Sequence, residues 1–169
     1  KALPAGFFYF LLPGQKNFSI LIDKDQHMTL RAKVADIPGT MQVSGALNTD
    51  LLYRNFRFQS AQEPELNQLV QIMRSTSPAS PEYQNAKARQ GQLLADRQAH
   101  LDEIFKTYPD AFFTKFKIAG QNPEWPDFRK PNGDVDTLGN LAHYRAHFWD
   151  GVDFTDNRLL NTPVIFNKL

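Results

Sequence analysis

The chain has 169 residues, 41% of them hydrophobic and 22% charged, which is the composition of a folded domain rather than a disordered segment. Its 19 basic and 18 acidic residues leave a net charge of +1, so no long-range field draws in nucleic acid or an anionic membrane surface. There is no cysteine, which excludes disulfides, thiolate zinc sites and a cysteine nucleophile.

The first third reads as β. Phe7 to Leu12 is a continuous apolar run closed by Pro13-Gly14. Phe18, Ile20 and Ile22 alternate with Ser19 and Leu21, and Met28, Leu30, Ala32 and Val34 alternate with Thr29, Arg31 and Lys33. Ile37-Pro38-Gly39 reads as a turn, and Met41, Val43 and Gly45 as a further short strand. Strands this short and this closely connected predict one antiparallel sheet, or a small sandwich, with a buried face.

The middle is helical. Leu51, Leu52, Tyr53, Phe56 and Phe58 open it, and Leu66, Leu69, Val70 and Met73 repeat at helical spacing with Pro64 placed in a first turn. Ser80-Pro81-Glu82 is a helix start: a capping hydroxyl, a proline at the first helical position and an acid favoured by the helix dipole. The stripe from Tyr83 to Tyr108 predicts the longest helix, stopped by Pro109. Phe112, Phe113, Phe116 and Ile118 form an apolar segment before Gly120, then a proline-rich loop runs over 121–133. A shorter helix is expected from Asp136 to Phe148, with Leu138, Leu141, Tyr144 and Phe148 as its apolar face. The fold class predicted is α+β, with a β-rich subdomain over 1–60 and a helical subdomain over 61–169. No stretch approaches the length of a transmembrane helix, and no signal-peptide pattern is present. The initial Lys1 and the apolar Pro163-Val164-Ile165-Phe166 at the far end suggest a piece of a longer gene product.

Three constellations bear on chemistry. His143, His147 and Asp150 fall on one helix face, where two imidazoles and a carboxylate can ligate a metal, although Tyr144 stands where a His-Glu-x-x-His hydrolase carries its general base. Asn132-Gly133-Asp134-Val135-Asp136 spaces oxygen donors alternately, but Thr137 and His143 occupy the positions a calcium loop gives to Gly and Glu. Asp150, Asp153 and Asp156 surround Trp149 and Phe154, a grouping that together with Trp125 suits a glycan- or peptide-binding groove, or else caps and turns. No nucleophile elbow and no glycine-rich phosphate loop is present, so no catalytic residue and no cofactor is indicated.

The stretch from Tyr144 to Val164 contains His147-Phe-Trp149-Asp150-Gly-Val-Asp153-Phe-Thr-Asp156-Asn-Arg158-Leu-Leu-Asn-Thr162-Pro163. It resembles the signature of a domain of unknown function that precedes a thioredoxin-like domain in secreted thiol–disulfide oxidoreductases of Bacteroidetes, with Gly151 in the usual Asn position. The first part, with its short strands, Val43-Ser44-Gly45, Asn48 and an aromatic-rich helix start, is similar to the β-rich domain that opens the same proteins. The resemblance implies a periplasmic or cell-envelope location and a downstream thioredoxin-like domain in the same chain. This stretch would then be a non-catalytic module for positioning, dimerisation or client recognition. It assigns no catalytic residue. His147, Trp149, Asp150, Asp153 and Arg158 are expected to lock a structural corner after the last long helix.

Overall fold

A computed structural model describes residues 2–169. The class is α+β, as the sequence patterning predicts. Two strands, β1 (Gly6–Leu12) and β2 (Lys16–Ile22), pair antiparallel from Gly6↔Ile22 to Leu12↔Lys16. Gly14 (φ 77°) and Gln15 (φ 61°) take left-handed backbone in the connection, which lets so short a turn reverse the chain. A second pair, β3 (Thr29–Arg31) and β4 (Gln42–Ser44), is separate, so the antiparallel sheet or small sandwich expected takes the form of two two-stranded antiparallel ribbons. β3 ends at Arg31 because Lys33 turns to pair with Asp36, whose carboxylate caps α1 (Ile37–Thr40) through the Gly39 N–H; the expected turn at 37–39 is this helical turn.

The next helix, α2 (Leu47–Ser75), is 29 residues long and exceeds α3 (Pro81–Thr107), so the Tyr83 stripe is not the longest element. The boundary expected at residue 60 lies inside α2, which runs on through Pro64. A proline in a helix interior leaves the carbonyl four residues earlier without its donor. Here Arg97 of α3 reaches the adjacent carbonyl of Gln59 at 3.0 Å and the Gln62 side chain at 2.9 Å, bracing the interruption from outside. The two helices then pack as an antiparallel hairpin around Leu66, Leu69, Ala86 and Leu93, with Ser80 capping α3 as predicted.

The main core joins Leu21, Leu51, Leu52, Ile104, Phe112, Phe113, Val152, Leu159 and Val164. Alternation puts Leu21 on the face opposite Ile20 and Ile22, yet all three are buried. The reason lies in α2: Thr49, fully buried, accepts from the Leu21 N–H at 3.1 Å and donates to the Leu21 carbonyl at 3.0 Å. The outer edge of β2 is thereby closed by a side chain instead of a strand. The neighbouring Asn48 accepts from the Phe113 N–H at 2.9 Å and so caps α4 (Phe112–Ala119), whose own N-cap, Ala111, has no side-chain acceptor. No helix among the described residues is long and apolar enough to cross a membrane.

Thr49→Val keeps the shape of the side chain and removes both bonds, leaving two buried backbone groups of Leu21 unmet. Urea unfolding should show a loss of about 2–4 kcal/mol. A loss below about 0.5 kcal/mol would mean that Thr49 fills space without holding β2.

Candidate functional site

Of the residues singled out in the sequence, His143 and His147 lie on α5 (Thr137–His147) and Arg158 on a 3₁₀ turn (Asn157–Asn161) that leads to α6 (Pro163–Lys168). Trp149, Asp150, Asp153, Phe154 and Asp156 lie in the turns between α5 and the 3₁₀ turn, and Trp125 and 132–136 in the loop before α5. Asp136 caps α5 through the Gly139 N–H at 3.1 Å. Asn132 and Asp134 bond to each other, so those oxygens shape a turn. The apolar face of α5 differs from the one expected. Leu138 is 80% exposed, whereas Asn140 is buried and accepts from the Phe128 N–H at 2.8 Å, fixing the proline-rich loop to the helix. The loop therefore covers the Asn140–Tyr144–Phe148 face, and Leu138 turns to solvent.

His143 and His147 do meet, their rings 4.4 Å apart, and with Glu124 and Asp150 they line a cleft of about 400 Å³. His143 packs edge-on against Phe128 and is half-buried, while His147 and Asp150 stand on the solvated side expected of this face. His147 Nδ1 lies 2.5 Å from Asp150 Oδ2. That bond holds one imidazole nitrogen and one carboxylate oxygen against each other. No three His, Asp or Glu side chains among the described residues are placed to hold one metal ion.

The five corner residues do not form one network. His147 and Asp150 pair with each other, and Asp153 accepts from the backbone and hydroxyl of Thr155, which holds its carboxyl below the ordinary range. Trp149 is half-buried on the main core. Arg158 is the anchor. Its Nε and Nη2 bond both oxygens of Asp156 at 2.8 and 2.7 Å, Nη1 bonds Asp23 at the end of β2 at 2.9 Å, and its plane lies 4.7 Å from the Phe112 ring centre. Asp156 also caps the 3₁₀ turn through the Arg158 N–H. The guanidinium holds the Asp156 carboxyl below its ordinary value, and Asp156 and Asp23 raise that of Arg158. One side chain thus ties the last part of the chain to the first hairpin.

Sequence reasoning missed two contributors. Asp23 carries no local sign of a partner 135 residues away. Lys168, 8% exposed, donates to the carbonyls of Gln121 at 2.8 Å and Phe148 at 2.6 Å, just past the ends of α4 and α5, and lies over the Phe148 ring at 4.4 Å. Burial lowers its ammonium below the usual lysine value, while the two carbonyls and the ring face hold the charge. Gly151, the departure from the signature, also has a steric role: a Cβ there would lie 2.7 Å from the Ile118 carbonyl, so the corner reaches α4 only without a side chain.

Comparison with protein-family models, with characterised proteins and with solved structures finds no match.

Rings do line up on this part of the surface. Trp125 meets Tyr144 at 5.2 Å, Tyr144 meets Phe148 at 5.6 Å, Phe148 meets Trp149 at 5.5 Å, and Trp149 meets Phe154 at 5.6 Å. Trp125 and Phe154, at the two ends, are 56% and 69% exposed.

Arg158→Lys retains the charge but not the planar fork. It should cost about 2 kcal/mol in thermal or urea unfolding. Asp23→Asn should lose less in the Arg158→Lys background than in the parent chain, since both remove the same bond. Fully additive losses would refute the assignment of Arg158 as the tie between the two ends.

Proposed function

We propose that this chain is a non-catalytic accessory module of an extracytoplasmic thioredoxin-like thiol–disulfide oxidoreductase, with the redox cysteines in a following domain of the same protein. The observation that carries the reading is the division of labour in the 147–163 stretch. Its charged groups, Asp156 and Arg158 above all, hold the stretch to β2 and α4, while Phe154, Leu160 and, just beyond, Phe166 face outward at 69%, 69% and 82% exposure. A segment fixed from beneath and apolar above suits contact with a neighbouring domain, a client or a second copy. The periplasm or cell envelope is the compartment that goes with this role.

Deleting the module from the parent protein should leave turnover of a small-molecule disulfide within about twofold, and should change turnover of a protein disulfide or the oligomeric state by about tenfold or more. Unchanged protein turnover and assembly would overturn the reading, as would disulfide reduction by the isolated chain.

A second reading rests on the row of rings from Trp125 to Phe154: a glycan- or peptide-binding face, with the sugar or side chain laid against the exposed rings. Titration with oligosaccharides and short peptides should shift tryptophan emission saturably, and Trp125→Ala should weaken binding about tenfold. No emission change at millimolar ligand would exclude it.

A further inference from the structure

The β3–β4 ribbon, α1 and the first half of α2 surround an open cleft of about 760 Å³ on a part of the molecule unrelated to the C-terminal corner. Arg31 at the end of β3, Lys33 just beyond it and Arg57 from α2 line this cleft. None of these three cations pairs with a carboxylate among the described residues. The acid on the same wall, Asp50, is neutralised by Arg54 at 2.6 Å. In a chain of net charge +1, this is a local concentration of positive charge. Cations gathered on one concave wall repel one another, and an entering anion relieves that repulsion. Arg57 is positioned in advance: Nη1 donates to the Met41 carbonyl at 2.7 Å, leaving the rest of its fork for a ligand.

The backbone decides which kind of anion fits. A compact phosphate site draws on several free backbone N–H groups. Around this cleft four of those groups are engaged. Lys33 N donates to Thr40 Oγ1 at 2.9 Å, Gly39 N to the Asp36 carboxylate at 3.0 Å, Thr40 N to the Asp36 carbonyl at 3.2 Å, and Met41 N to the Ile37 carbonyl at 3.0 Å. What remains is a set of side-chain cations on separate elements, with the half-buried Val43 between them. That arrangement suits carboxylates spaced along an extended, partly aliphatic chain. We propose that the cleft binds an acidic peptide segment, its carboxylates meeting Arg31, Lys33 and Arg57 and its aliphatic atoms resting on Val43. This inference does not rest on the accessory-module reading, since it concerns the chain alone.

Calorimetry on the intact chain tests it with a short Glu–Gly repeat peptide, its Gln–Gly counterpart and inorganic phosphate. The Glu peptide should bind saturably and lose affinity as salt rises, and the Gln peptide should give no heat. The double variant Arg31→Gln/Lys33→Gln should weaken binding about tenfold or more. Both positions are exposed, so an unchanged melting temperature identifies that loss as one of binding and not of fold. Arg57→Gln should weaken it as well. No binding of the Glu peptide, binding indifferent to the double variant, or phosphate that binds equally well and displaces the peptide would overturn the proposal.

Discussion

The reciprocal pair of bonds between the Thr49 hydroxyl and the backbone of Leu21 is the contact on which the rest of the fold depends. The hairpin β1–β2 is too small to be stable alone. It becomes part of a core only because α2 closes its open edge. A helix satisfies its own backbone, so its side chains are free to satisfy the backbone of other elements. In α2 four of them do so: Asn48 caps α4, Thr49 holds β2, Tyr53 donates to the Ser19 carbonyl at 2.9 Å, and Arg57 donates to the Met41 carbonyl. β2, α4 and the β4 ribbon are all placed relative to one helix. Leu51 and Leu52, between these polar contacts, fill the space thus defined.

From α4 onward the chain is held by cations. The segment after α5 is a series of short turns, the 3₁₀ turn and α6, whose hydrogen bonds are mostly local, so its position has to be fixed from outside. Arg158 fixes the middle of it against Asp23 and Phe112. Lys168 fixes its end by joining the carbonyls past two helix C-termini. Both positions combine an aromatic face with several oxygen acceptors, the environment in which a charge withdrawn from water is compensated. The missing side chain at Gly151 allows the intervening loop to lie against the Ile118 carbonyl, so the three features act on the same short stretch.

The features legible in the sequence are those whose causes are local. Ser80-Pro81-Glu82 begins α3 because the capping oxygen and the N–H that donates to it lie within one turn, and the same holds for Asp136 and α5. The hairpin turn at Pro13-Gly14 is equally local. The misreadings come from partners far away in the chain. Alternation could not place Leu21, because its burial follows from Thr49, 28 positions later. Pro64 argues for a helix start when α2 is considered alone, and only Arg97, on the neighbouring helix, braces the break. Leu138 loses its place in the core because Asn140 binds the proline-rich loop. In the C-terminal signature the importance of Arg158 is visible from its pattern, but its partner Asp23 is not. The cations of the β3–β4 cleft carry no signal at all, since Arg31 and Lys33 look like the solvent side of a strand.

The first turns of α2 also separate what the molecule can do. Asp50, Arg54 and Arg57 follow one another at i, i+4 and i+7 and lie on the side of the helix that borders the basic cleft. Asn48, Leu51, Leu52 and Asn55 are buried on the side that meets the core. Changes to the cleft therefore need not disturb the packing that seats α4, and through α4 the Arg158 corner. A helix with one face committed to the core and another bordering the cleft can carry a binding surface, with Arg57 alone serving both through its bond to the Met41 carbonyl. That separation is what lets the cleft and the C-terminal corner be altered one at a time.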